Sequence, residues 1–281
     1  MAEVILEARQ LDYRYSGGAA GLRGLDLTVK RGSKLAVLGA NGAGKSTLLL
    51  HLNGVLRPTR GEIRLDGRPV RYSRQELSLW RQQVGVVLQD PDDQLFAASV
   101  FQDVSFGPLN QGLSPPTARE RVAEVLHALG IESLWDRPTH SLSFGQKKLV
   151  ALAGVLAMRP RVLVLDEPTA GLDPWGAQRL VESLELLHRA DTTLVMATHD
   201  MDLAYGWASE VAVLDRGRAV LQGAPHLVLQ DEQLLAGAHL RAPWTLEMGL
   251  RLQELGLYPA ARVLPRTPEE LLMCLKSPEL A

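Results

Sequence analysis

Cysteine is almost missing. Cys274 is the single one in 281 residues, which excludes an internal disulfide and any cysteine-cluster metal site and matches a reducing compartment. An excess of charge is missing too. Lys and Arg number 30 against 32 Asp and Glu, a net −2, which argues against broad electrostatic capture of nucleic acid or acidic membrane while leaving local patches open. No apolar run approaches bilayer-spanning length, and the opening MAEVILEARQ has neither the basic start nor the apolar core of a signal peptide. The expectation is a cytosolic chain that meets a membrane only through a partner. Repeats and low-complexity segments are lacking as well. What is present, 281 residues of which 46% are hydrophobic, suffices for one large core with appendages.

Two textures of apolar residue follow one another along the chain. Alternating positions in EVILEA, LDLTV and EIRLDGRPV predict half-buried antiparallel strands, the last with an Asp66-Gly67 hairpin turn. KLAVLG, VGVVLQ, VLVLDE and TLVMAT are instead short, continuously apolar and rich in Val and Leu, as strands buried on both faces are. Helical stretches between several of them predict a parallel sheet with helices on both faces. Residues from about 90 to 155 read as a helical insertion. There Thr117 and Glu120 form a capping-box pattern, Val122, Val125, Leu126 and Leu129 mark one helix face, and Gly130 ends it. VAVLDRGRAVL predicts a hairpin around Arg216-Gly217. Beyond about 225 the chain turns helical, and in TPEELLMCL Thr267 caps, Pro268 fits the first turn and Glu270 completes a box.

GANGAGKST follows the strand KLAVL and opens the apolar stretch TLLLHLNG. This is G-x-x-x-x-G-K-S in the strand-loop-helix setting that gives the pattern its meaning. Gly39, Gly42 and Gly44 let the backbone curl so that N–H groups point inward, and the helix N-terminus adds partial positive charge. Lys45 would neutralise the outer phosphates of a nucleotide and the Ser46 hydroxyl would ligate magnesium. At the end of another buried strand, Asp166 can hold that ion through water, and Glu167 beside it can reach an attacking water as general base. His199, after a further strand, is placed to contact the terminal phosphate.

Taken together, these motifs resemble the ATP-binding subunit of an ABC transporter over nearly all of residues 1 to about 225. GANGAGKST resembles Walker A, VLVLDE Walker B, Gln89 in VVLQD the Q-loop glutamine, AGLD the D-loop ending at Asp173, and ATHD the switch histidine. LSFGQ resembles the signature motif. The resemblance implies an α/β P-loop NTPase core of mainly parallel sheet, an antiparallel β subdomain, a helical signature subdomain and a small helical C-terminal appendage over 226–281. It further implies ATP and Mg2+ as ligands, the nucleotide bound by Gly39, Asn41, Gly42, Gly44, Lys45, Ser46 and Thr47. Ser46, Gln89 and Asp166 would hold the metal, and Glu167, His199 and Gln89 would serve catalysis. Tyr15 resembles the aromatic that stacks on adenine, with Tyr13, two residues away, as the alternative.

In that family two domains pair head to tail, so Ser143, Gly145 and Gln146 are expected at the nucleotide of a second ABC ATPase subunit, with a homodimer the first expectation. That would explain why SLSFGQKK carries hydroxyl, amide and glycine but no base. Phe144 departs from the family pattern by standing where a glycine is usual, and it is expected to project away and pack locally.

QDPDDQLFAASVFQDVSFG, the lysine pair in LSFGQKK and LRAPWTLEMGLRLQELGLYP are similar to the cobalt, nickel and energy-coupling-factor importer ATPases. Such a protein works with a transmembrane scaffold subunit and a substrate-binding membrane subunit, at the cytoplasmic face of the membrane. Leu95, Phe96, Val100 and Phe101 then line a groove for the scaffold or belong to the core. Cobalt is the first expected cargo, nickel the second and a vitamin the third. The seven histidines are scattered without transition-metal spacing, so the cargo is not expected to bind this chain. ABC ATPases that act on nucleic acid are disfavoured. One kind needs a long coiled-coil insertion between Q-loop and signature, the other usually has two heads in one chain, and here only one Walker A is present. Intact Glu167 likewise argues against a regulatory module without turnover.

Overall fold

A computed structural model of the chain describes residues 3–189, 191–259 and 263–276; the last five residues of the expected appendage and the side chain of Cys274 lie outside the described residues. The long strands β1 (Val4–Arg14) and β2 (Ala20–Lys30) pair antiparallel and start the fold. β3 (Lys34–Leu38) leads into α1 (Lys45–Leu52), and β4 (Arg60–Leu65) with β5 (Arg68–Pro69) forms the hairpin expected at Asp66-Gly67. Both turn residues take positive φ, 49° and 73°, the signature of the turn type that matches strand twist. Next come α2 (Arg74–Gln83), β6 (Val84–Val87), α3 (Val100–Asn110), α4 (Pro115–Ala128) and α5 (Phe144–Leu156). β7 (Val162–Asp166), α6 (Pro174–Arg189), β8 (Thr193–Thr198) and α7 (Met201–Trp207) lead to the hairpin of β9 (Glu210–Asp215) and β10 (Arg218–Gly223). Four helices follow: α8 (Pro225–Val228), α9 (Glu232–Gly237), α10 (Trp244–Glu254) and α11 (Pro268–Lys276).

The strands form two sheets, an antiparallel one ordered β2-β1-β4-β5 and a six-stranded one ordered β10-β9-β3-β8-β7-β6. In the latter only the β9–β10 hairpin is antiparallel. Side-chain alternation along these strands divides the interior. Leu35, Val37, Val162, Val164, Val195 and Ala197 pack toward the antiparallel sheet and α1, whereas Ala36, Leu38, Leu163, Leu165, Leu194 and Met196 pack toward α5, α6 and α7. β7 and β8 are therefore buried along their whole length, which is why they read as continuous apolar runs.

Two helix starts differ from the sequence expectation. α4 is capped by Ser114, whose hydroxyl accepts from the Thr117 N–H, and begins with Pro115. Thr117 is thus inside the first turn, because a serine followed by proline is already a complete start signal. At α11, Thr267 caps as expected by accepting from the Glu270 N–H, but the Glu270 carboxylate reaches the N–H of Arg266, one residue earlier than a capping box requires.

Candidate functional site

The strand order decides what meets. β3, β8 and β7 are adjacent and parallel, so the loops leaving their carboxyl ends converge, as in other open α/β sheets. Those loops carry Gly39 to Lys45, His199, and Asp166 with Glu167. β6, at the sheet edge beside β7, delivers Gln89.

Gly42 and Gly44 have φ of 82° and 107°, conformations that only glycine adopts without cost. Gly44 is the N-cap of α1 and supplies no capping side chain, so the first N–H groups of the helix face the loop. Gly39 is required for a different reason than curvature. A Cβ there would lie 2.6 Å from the Leu214 carbonyl oxygen, so the loop is seated against β9 by close backbone approach. The Gly39 carbonyl accepts from Lys45 Nζ at 2.7 Å, and the same ammonium lies 3.6 Å from Glu167 Oε1. Glu167 Oε2 meets His199 Nδ1 at 2.9 Å. A cleft of about 480 Å³ results, walled by Tyr15, Asn41, Gly42, Gly44, Lys45, Ser46, Thr47, Gln89, Glu167 and His199, together with Ala19, Ala20 and Gly21 from the β1–β2 connection. The last three carry no reactive group, so no sequence signal could have marked them.

Tyr15, rather than Tyr13, opens onto this cleft. Its hydroxyl lies 2.7 Å from Thr47 Oγ1, while Tyr13 is wedged edge-on between Tyr15 and His51. Asp166 sits one layer behind and borders an adjoining depression with Gln89, Asp90, Asp93 and Phe144. Burial pushes its carboxyl above the ordinary range, and the hydrogen bond from Ser46 pulls the other way. Its Oδ1 is buried without a hydrogen-bond partner. An oxygen donor set of one hydroxyl, one carboxylate with a free lone pair and one amide suits a hard divalent cation such as Mg2+.

Ser143, Gly145 and Gln146 are not brought to this cleft. They form the start of α5, Ser143 exposed and Gly145 and Gln146 half-buried, where Ser143 Oγ accepts from the Gln146 N–H and the Gln146 side chain accepts from the Ser143 N–H. The box satisfies the Ser143 and Gln146 N–H groups and leaves those of Phe144 and Gly145, at the first turn, without a partner in the helix. Phe144 does pack locally. Its ring lies against Gly171, where a Cβ would come within 2.7 Å of it, and under Lys148 Nζ at 5.5 Å.

The segment after Gln89 separates by role. Val100 is wholly buried, Leu95 packs on the core and Phe101 stacks on Trp135. Phe96 is 64% exposed and makes an edge-to-face pair with Phe106. Both line a groove of about 460 Å³ with Arg74, Arg81, Asp103 and Met158, and Asp103 holds the loop by accepting from the Phe96 and Ala97 N–H groups.

Known proteins share this architecture. A family model described as ABC transporter matches residues 22–170. The cobalt import ATP-binding protein CbiO of Rhodobacter capsulatus is 52% identical over 95% of this chain and 95% of its own. The energy-coupling factor transporter ATP-binding protein EcfA of Methanocaldococcus jannaschii is 48% identical over 85% of this chain and 86% of its own. Among solved structures, cbiO1 from Clostridium perfringens, part of the ABC transporter complex cbiONQ, matches with a TM-score of 0.74 at 45% identity and covers 90% of this chain and 98% of that one.

Proposed function

The chain belongs to the ABC transporter family as an ATP-hydrolysing subunit of the energy-coupling-factor type, and from that premise we propose that the importer it drives carries a transition-metal ion, cobalt before nickel. The likeness to a cobalt import protein along nearly the whole of both chains is the observation that carries this reading. A vitamin is the third reading, after nickel, because the chain is also similar to an energy-coupling factor protein whose name specifies no cargo. Among the described residues no group of three or more His, Cys, Asp or Glu could hold a metal ion, and the cargo is assigned to the membrane subunits.

In the catalytic cycle we assign Lys45 and the N–H groups of the glycine loop to the outer phosphates, Tyr15 to the adenine, and Asn41 and Thr47 to the loop's nucleotide contacts. Ser46, Asp166 and Gln89 would hold Mg2+. When bound, the ion neutralises charge that develops on the transferred phosphoryl group. Glu167 takes a proton from the attacking water as its oxygen bonds the γ-phosphorus and the bond from that phosphorus to the bridging oxygen breaks, so that ADP and inorganic phosphate leave, and His199, hydrogen bonded to Glu167, contacts the γ-phosphate. We assign Ser143, Gly145 and Gln146 to the site of a second copy, since they stand apart from the cleft of their own chain.

We treat residues 1–225 as the ATPase domain, with its helical subdomain at about 90–155, and 226–281 as the appendage. Val228 of α8, Leu229 just after it and Leu235 of α9 join the main core, while Leu252, Tyr258 and Leu271 gather into a small cluster of their own. No described helix is long and apolar enough to cross a membrane. Attachment to the cytoplasmic face is assigned to a transmembrane scaffold subunit seated in the groove at Phe96, with a substrate-binding membrane subunit beside it. No nucleic-acid partner is proposed.

Phe96→Glu tests the groove. Coupled transport is expected to fall by about tenfold or more, the scale of losing an interface anchor, with ATPase activity and melting temperature of the isolated chain unchanged. A parallel loss of ATPase activity and stability would make Phe96 a core residue. The cargo is tested by purifying the chain with its membrane subunits, reconstituting the complex in vesicles and measuring ATP-dependent uptake of labelled Co2+, Ni2+ and vitamins. Uptake of a vitamin with neither metal would overturn the cobalt reading.

A further inference from the structure

Lys45 and His199 meet the carboxylate of Glu167; Lys148 instead reaches its main chain. β7 ends at Asp166 and the chain turns at once through Glu167, whose φ of 44° lies in the left-handed region. For a residue with a Cβ that conformation costs on the order of 1–2 kcal/mol, so something must hold it. The Glu167 N–H is tied to the Ala197 carbonyl on β8 and its carbonyl accepts from Ala170. The other donor is the Lys148 ammonium, which gives hydrogen bonds to the Glu167 carbonyl at 2.8 Å and the Pro168 carbonyl at 3.1 Å.

Lys148 comes from α5 and is 3% exposed. Burial pushes its ammonium down to about 8, against the pull of Glu167, Asp166 and Asp90. Burying a cation is costly unless its hydrogen bonds are met, and two carbonyls of one turn, with the Phe144 ring on a further side, meet them. A leucine or methionine would fill the same volume without that cost. The lysine is therefore better explained by what it holds than by core packing.

We infer that Lys148 is a positioning residue for hydrolysis: it clamps the Glu167–Pro168 turn and fixes the aim of the Glu167 carboxylate at the ATP of its own chain. Ser143, five residues earlier on the same helix, faces the ATP of the neighbouring copy, and this half of the inference rests on the head-to-tail reading above. α5 is then a rigid lever between two sites. Its first turn reports one nucleotide and its second turn sets the base that attacks the other.

The test is Lys148→Met in the full chain, measured for kcat, KM, affinity for a fluorescent ATP analogue and melting temperature. A misaimed base is expected to lower kcat by about 10- to 100-fold, with nucleotide affinity unchanged within about twofold because the Walker A loop is untouched. Lys148→Arg, which keeps a charged donor, should restore most of kcat, and Lys148→Gln provides a second neutral variant with the same expected split. Unchanged kcat in Lys148→Met, a joint loss of affinity and melting temperature in both neutral variants, or failure of Arg to rescue would each overturn the inference. In a tethered pair, Lys148→Met and Lys45→Ala in the same copy should retain more single-site hydrolysis than the same changes in opposite copies. Equal retention, or the reverse order, would remove the assignment to the chain's own ATP. Ser143 shows the opposite pattern if the signature acts across the interface, so failure of the Lys148 inference and failure of the head-to-tail reading are separable.

Discussion

Glu167→Gln is expected to bind ATP with near-normal affinity and to hydrolyse it about 10²- to 10⁴-fold more slowly, the range that a positioned general base contributes. Glutamine keeps the shape of the side chain and can still hydrogen bond His199, whose Nδ1 lies 2.9 Å from the carboxylate, but it cannot take a proton from water. Lys45→Ala should do the reverse. It removes a charge-assisted contact to phosphate worth about 1.5–3 kcal/mol, or about 10- to 150-fold in Kd. It also strips Glu167, a carboxylate only 8% exposed, of the cation 3.6 Å away, so a lower melting temperature without nucleotide is expected as well. Titration with a fluorescent ATP analogue and single-turnover hydrolysis separate the two defects. Trapped nucleotide should also hold Glu167→Gln in a pair, seen as a larger species with MgATP in size-exclusion chromatography. Near-normal turnover in Glu167→Gln would exclude it as the base.

Physical reasons divide what could be read in the chain from what could not. The glycine loop was legible because the strand before it, β3, and the helix after it, α1, each have an unmistakable apolar pattern, and the acidic pair was legible because β7 is buried on both faces. Convergence of these motifs was not a local property. It comes from the order β3-β8-β7 in the sheet, which was inferred through family resemblance. Lys148 shows the limit most plainly. It stands in a lysine pair whose other member, Lys147, makes an ion pair with the exposed Asp92, and the two are alike in sequence. Only the tertiary structure puts one in a half-buried ion pair and the other under the catalytic turn. Phe96 and Val100 were likewise indistinguishable as apolar residues four apart. They separate because Phe96 precedes α3 in a loop held by Asp103, while Val100 enters the helix facing the core.

Phe144 carries the same lesson to the signature motif. Where the resemblance leads one to expect glycine, the ring lies against Gly171 and beneath Lys148 and remains partly exposed. Ser143 beside it stays exposed.

The remaining prediction asks which ATP those donors serve. In a tethered pair, Ser143→Arg in one copy and Lys45→Ala in the other should retain more hydrolysis than both changes placed in one copy. If the signature acts across the interface, Ser143 of the first copy and Lys45 of the second belong to one composite site, so the two defects coincide and the opposite site is whole. With both changes in one copy, each composite site loses one component. The geometry favours the first outcome, because Ser143 is exposed and Gly145 half-buried at the start of α5, and neither borders the cleft formed by Lys45, Glu167 and His199 of their own chain. Arginine at 143 adds a bulky cation in place of a small hydroxyl donor, so the defect should be close to complete rather than graded. Nucleotide occupancy measured beside turnover distinguishes a site that cannot bind from one that binds and cannot fire. Greater retention with both changes in a single copy would mean that SLSFGQKK serves the nucleotide of its own chain, and the head-to-tail arrangement would have to be abandoned.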